Sequence, residues 1–156
     1  MRLSFCAAVA LSLTLLTAPA RGHDAHTHRT FSAGEPGDPR RTARVVQIVM
    51  RETDGRMLFA PERVEVRRGD QVRFVLINDG ELEHEFVLAS TEENLKHAEE
   101  MRRNPDMAHD DPNAQPVDSR KRGELLWRFT KAGTFEYGCL IPGHREAGMT
   151  GTIVVR

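Results

Sequence analysis

"GTFEYGCLIPGHREAGMTGTIVV", residues 133–155, is the stretch whose reading decides the fold. Its two ends have strand character: Phe135, Tyr137 and Cys139 fall on one face, and "TGTIVV" is a β-branched closing run. Between them lies a loop with Pro142-Gly143 and Gly148 as its turn formers. If Cys139 ends one strand and Thr150 begins the next, that loop sits at one pole of a sheet. It then carries His144 and Met149 back toward the Cys139 thiol.

Working outward, the preceding chain is also strand-like. "ARVVQIVM" (43–50) is a β-branched run, and "RVEVRRGDQVRFVLIND" (63–79) alternates Val64, Val66, then Val72, Phe74 and Leu76 around an Arg-Gly-Asp turn. "HEFVLAS" (84–90) puts His84, Phe86 and Leu88 on one face, and "GELLWRFT" (123–130) leads into the decisive stretch. Several short strands separated by turn signals predict an all-β sandwich. One insertion, residues 90–122, interrupts it. "STEENLKHAEEMRR" (90–103) predicts a helix with a Ser90–Glu93 capping box and an apolar stripe of Leu95, Ala98 and Met101. From 104 to 122 the chain reads as a long polar loop.

The start of the chain reads as a leader. Arg2 precedes an apolar run from Leu3 to Leu16, and Ala18-Pro19-Ala20 supplies a small-residue cleavage site. The run is shorter than the roughly 20 residues a spanning helix needs, so residues 1–20 are expected to be a signal peptide for export to the periplasm. Residues 21–41, polar and rich in Gly, Pro and His, are expected to form a flexible arm. The domain proper then runs from 42 to 156. Its charges nearly balance, with 22 basic and 23 acidic residues in the whole chain. The basic residues alternate with acids in short clusters, which argues against a nucleic-acid partner.

Export changes the meaning of the cysteines. The chain has two, and Cys6 leaves with the leader, so Cys139 has no partner in its own chain. A lone cysteine in an exported protein is an inert core residue, half of an intermolecular bridge, or a ligand. Its neighbours favour the ligand. Two imidazoles and a thiolate with a weak axial thioether form the donor set of electron-transfer copper. The loop supplies Cys139, His144 and Met149, and His84, at the start of a strand whose Phe86 and Leu88 point inward, supplies the second imidazole.

With these residues in place the chain resembles the cupredoxins, the blue-copper family of plastocyanin, azurin, auracyanin and rusticyanin. "FAPERVEVRRGDQVRFVLIND" (59–79) is similar to the family's opening strands, and "AGTFEYGCLIPGHREAGMTGTIVV" (132–155) to its closing strand and ligand loop. The gap between Cys139 and His144 is similar to that of auracyanin and rusticyanin and longer than plastocyanin's. The resemblance implies a Greek-key β-sandwich with one type 1 copper held by His84, Cys139, His144 and, axially, Met149. Glu85 departs from the pattern, since plastocyanin and azurin carry Asn directly after the first His ligand. Blue and green variants of the site both stay open. Asn78 also has a parallel in plastocyanin.

Two roles follow from such a site: a soluble electron carrier, or copper homeostasis and tolerance in the periplasm. No enzyme is expected. Multicopper oxidases place a histidine on each side of the cysteine, where this chain has Gly138 and Leu140, and the binuclear centre of terminal oxidases needs a second cysteine in the loop. A carrier would use "LIPG" (140–143), with Leu82, as an apolar docking patch around His144, unless Leu140 and Ile141 pack inward. Copper handling is favoured by further imidazoles and thioethers. Cleavage after Ala20 would leave Arg21-Gly22-His23, an amine, two amides and an imidazole suited to square-planar Cu(II). His26 and His28 would add to a weak extra copper site on the arm, against the plainer alternative of a polar tail. Met101, Met107, His97 and His109 could hold Cu(I) in the insertion, although Met101 lies on the helix's apolar stripe. The arm and insertion resemble features of periplasmic cupredoxins linked to bacterial copper tolerance. The expected partners are therefore the copper ion and a redox-partner or copper-transport protein, with no membrane span in the mature form.

Overall fold

A computed structural model describes residues 30–104 and 111–156. The strands are β1 (Glu35–Pro36), β2 (Arg44–Thr53), β3 (Arg56–Ala60), β4 (Arg63–Val66), β5 (Gln71–Asn78), β6 (His84–Ala89), β7 (Ala114–Val117), β8 (Arg122–Arg128), β9 (Gly133–Gly138) and β10 (Thr150–Val155), with the helix α1 (Thr91–Arg103) between β6 and β7. They form two five-stranded sheets, ordered β1-β8-β5-β2-β3 and β4-β10-β9-β6-β7. Two parallel pairings, β2 with β5 and β10 with β4, arise because the chain crosses between the sheets. The two sheets form the expected β-sandwich, which carries one helical insertion.

The alternating pattern explains the layering. In β4 and β5, Val64, Val66, Val72, Phe74 and Leu76 turn inward and are buried, while their neighbours are more accessible. Aromatic rings fill the space between the sheets. Phe86 stacks on Tyr137 at 5.1 Å, and Phe59 meets Tyr137 edge-on at 5.2 Å. The Tyr137 hydroxyl donates to the Pro61 carbonyl at 2.5 Å, which gives a buried polar group its partner. Gly151 makes room for that ring, since a Cβ there would lie 2.1 Å from Tyr137 Cζ.

Strand β6 is buried on both faces, unlike the half-exposed β4. The reason is α1, which covers its outer side. Ser90 caps the helix through the expected capping box with Glu93. The buried stripe differs from the predicted one: Asn94, Ala98 and Met101 face the sheet, whereas Leu95 is 52% exposed. Asn94 takes the inward place because its amide donates to the Glu136 carboxylate at 3.0 Å and to the Val87 carbonyl at 3.4 Å.

Two further differences from the sequence reading concern the segments expected to be irregular. Part of the polar loop before residue 122 is strand β7, paired antiparallel with β6 from His84↔Val117 to Val87↔Ala114. The stretch read as a flexible arm packs on the sandwich from Phe31 to Pro36. Phe31 meets Trp127 edge-on at 5.3 Å, Ala33 is fully buried, and β1 pairs with β8. The expected leader and the histidines at 23, 26 and 28 lie outside the described residues, as do Met107 and His109. Among the described residues no helix is long and apolar enough to cross a membrane.

Candidate metal centre

The register of the second sheet brings the pole residues together. Strand β9 ends at Gly138, opposite Val87 of β6, so β6 runs past it and places His84 beneath the loop that follows Cys139. The loop is wound by its own backbone. His144 N–H donates to Ile141 O at 3.0 Å, Ala147 N–H to Gly143 O at 3.0 Å, and Met149 N–H to His144 O at 3.1 Å. Cys139 N–H donates to Met149 O at 3.1 Å and closes the loop where the β9–β10 ladder begins. Gly143 and Gly148 take positive φ angles of 92° and 103° at the turns, conformations that cost a side chain dearly.

The result is a compact donor cluster. His84 Nδ1 and His144 Nδ1 lie 3.2 Å apart, and Cys139 Sγ lies 3.3 Å from His144 Nδ1. The ligand atoms of His84, Cys139 and His144 all fall within 4.8 Å of one another, and all three residues are buried. Met149 is fully buried, and its backbone is bonded to both His144 and Cys139. Buried donors of this kind suit a soft or borderline metal ion: two neutral imidazoles and a thiol, with no carboxylate among them.

The electrostatics agree. Burial pushes both imidazoles below the ordinary histidine range, so they are neutral and able to coordinate. For His84 the Glu52 carboxylate partly offsets this, whereas for His144 the neighbouring His84 adds to it. Burial also raises the Cys139 thiol to about 12. Hydrogen bonds to the sulfur from the backbone N–H groups of Glu85 and Ile141 work the other way.

Glu85 is the departure from the family pattern, and its side chain has a structural use. Its carboxylate, in a residue only 4% exposed, accepts the Leu140 N–H at 2.8 Å and ties strand β6 to the ligand loop. Asn78 is likewise buried and braces the turn before His84. Its amide donates to Leu82 O at 2.8 Å and Val117 O at 2.9 Å, while its carbonyl accepts from Gly80 N–H at 2.9 Å. Leu140 packs inward against Val87 and Ala98, and Ile141 is partly buried against the main core, so "LIPG" is no open apolar patch. The exposed apolar side chains of that group are Leu82, at 45%, and Pro142. Met101 is a buried packing residue of α1.

Sequence reasoning missed one residue at the centre. Glu52, at the end of β2, accepts from His84 Nε2 at 2.8 Å. It also missed a brace behind the loop, where Arg145 pairs with Glu136 at 2.5 and 3.0 Å and Glu136 in turn holds Asn94 of α1.

Residues 46–156 match the family model described as copper binding proteins, plastocyanin/azurin family. The chain belongs to that family. Among curated relatives of this cupredoxin, the copper-resistant cuproprotein CopI of Rubrivivax gelatinosus is 52% identical over 89% of this chain and 80% of its own. The protein of the same name from Pseudomonas aeruginosa is 33% identical over 91% of each. Among solved structures, auracyanin B superposes with a TM-score of 0.62 at 24% identity, covering 80% of this chain and 96% of its own, a likeness of fold. Family membership and the His-Cys-His cluster together support a type 1 copper site.

Proposed function

We propose that this cupredoxin is an exported copper protein of periplasmic copper tolerance that holds one redox-active type 1 copper through His84, Cys139, His144 and axially Met149. The observation that carries the reading is the buried cluster of two imidazoles and a thiol within 4.8 Å. The donors fit copper in both oxidation states: thiolate and thioether suit Cu(I), and imidazole suits either. The two relatives named for copper resistance support the tolerance role. Gly138 and Leu140, which flank the cysteine, offer no histidine to pass electrons to a trinuclear centre, which supports a binding rather than an enzymatic role.

Adding Cu(II) to copper-free protein should produce an intense visible thiolate-to-copper band that disappears in Cys139→Ser. A colourless complex would refute the type 1 site. The role is tested separately by deleting the gene. Loss of growth in copper supports tolerance, whereas normal growth in copper with loss of a respiratory or photosynthetic electron-transfer step would establish the carrier reading instead.

A further inference from the structure

The second ring nitrogen of His84 is committed to a carboxylate. Glu52 belongs to the other sheet, yet its Oε1 lies 2.8 Å from His84 Nε2. The same carboxylate accepts the N–H groups of Glu81 and Leu82, each at 3.0 Å, from the turn that precedes His84. Gly80 allows the turn to close over it, because a Cβ there would sit 2.4 Å from Oε2. That turn is itself tied down: Ser119 Oγ donates to Gly80 O at 3.0 Å, and Arg120 donates to Asp79 O at 2.8 Å. The carboxylate is thus positioned by β2 and by two backbone donors, independently of the histidine.

This arrangement has a consequence for the imidazole. A ring that donates Nε2–H to a carboxylate carries its lone pair on Nδ1, and Nδ1 is the atom that faces His144 and the cluster. A carboxylate on the remote nitrogen of a metal-bound histidine fixes the ring's orientation and raises its basicity. The carboxylate receives N–H groups from Glu81, Leu82 and His84, a set of donors that favours its anionic form. A fixed negative charge one ring away stabilises a doubly charged ion more than a singly charged one.

We propose that Glu52 is a positioning residue for the copper site, which locks His84 in the tautomer with a free Nδ1 and biases the bound metal toward Cu(II) over Cu(I). The inference rests on His84 being a copper ligand, as read above. It adds a determinant of oxidation-state preference that lies on a different sheet from His84.

The test compares wild type with Glu52→Gln, which keeps an acceptor oxygen in place but removes the charge. Measured with competing Cu(I) and Cu(II) chelators, the Cu(II)/Cu(I) affinity ratio should fall about tenfold in the variant. For a one-electron couple this is a rise of about 59 mV in reduction potential. Ser119→Ala, which loosens the same turn without touching the charge, should leave the potential at the wild-type value. In the copper-free protein, nitrogen NMR should find His84 protonated at Nε2 in wild type. An unmoved potential in Glu52→Gln, an equal shift in Ser119→Ala, or a proton on Nδ1 would each overturn the proposal. Failure of the underlying reading looks different, because His84→Ala would then bind copper with an unchanged visible spectrum.

Discussion

His84 and the proposed loop ligands Cys139, His144 and Met149 stand on supports built in opposite ways. His84 stands on β6, which is paired with β7 on one side and β9 on the other and covered by α1, so its backbone is held over long sequence distances. Cys139, His144 and Met149 stand on a coil whose hydrogen bonds are mostly its own. A ladder needs no further help, but a self-bonded coil can drift as a body. The structure accordingly fastens the loop from outside through Glu85 to Leu140 N–H, Met57 N–H to Ala147 O at 3.1 Å, Arg145 to Glu136, and Arg102 of α1 to Glu146 at 3.3 Å. The comparison teaches that three of the four proposed ligands are local to one loop, whereas their placement against His84 is owed to residues elsewhere.

The sharpest way to break that comparison is to cut the best-buried fastening. Arg145 and Glu136 expose only 16% and 11% of their side chains, and Glu136 also holds Asn94. Arg145→Met leaves the carboxylate unpaired in a largely dry site, a loss of about 3 kcal/mol. Urea unfolding of the copper-free protein should show the drop, and it should be recovered in part by the double variant with Glu136→Gln. If the single variant unfolds like wild type, α1 is no brace.

Glu85 is where the two supports meet, so its loss should come next. Glu85→Ala leaves the buried Leu140 N–H without its acceptor, at about 2 kcal/mol. It should also free the loop start, so that a thiol reagent reacts faster with Cys139 in the copper-free variant. Glu85→Gln, which keeps an acceptor, should react nearly as slowly as wild type. Equal reactivity of the alanine variant and wild type would mean that the coil holds itself.

A third outcome concerns acid. In the folded copper-free protein both imidazoles are depressed by burial, and Glu52 is also below its ordinary range. The unfolded chain therefore takes up protons first as pH falls below the ordinary histidine pKa of about 6.5. Stability contributed by the neutral imidazoles is complete above that pH and is lost as pH falls toward their folded values. Glu52 adds a further loss of the same sign at lower pH. Melting temperature should thus decline below about pH 6.5, and a rise on acidification would contradict the burial of the pair.

How much of this was legible follows from sequence distance. Cys139, His144 and Met149 could be read because one short loop contains them, and His84 because strand alternation put Phe86 and Leu88 inward beside it. Glu52 could not. It meets His84 only because β2 pairs in parallel with β5, Met50 opposite Asn78, which carries the end of β2 to the turn before His84. The use of Glu85 was hidden for a related reason, since its partner is a backbone N–H far along the chain. Strand β7 was masked by Pro116, which a strand tolerates here because β7 is the sheet's edge. Phe31 was hidden by the polar residues around it.

The smallest effect tests the helix, where the sequence pattern and the packing disagree. An apolar stripe of Leu95, Ala98 and Met101 obeys helical spacing, but the buried set is Asn94, Ala98 and Met101. The polar residue won because the inner position faces the Glu136 carboxylate and the Val87 carbonyl, which an amide can satisfy and a leucine cannot. Leu95→Gln should therefore change stability by no more than about 0.5 kcal/mol, as for an ordinary surface site. Asn94→Leu should cost more despite adding apolar bulk to a buried position, because it strips a partner from Glu136. If the order were reversed, Leu95 rather than Asn94 would be facing the sheet, and the link from α1 through Glu136 to the ligand loop would not exist.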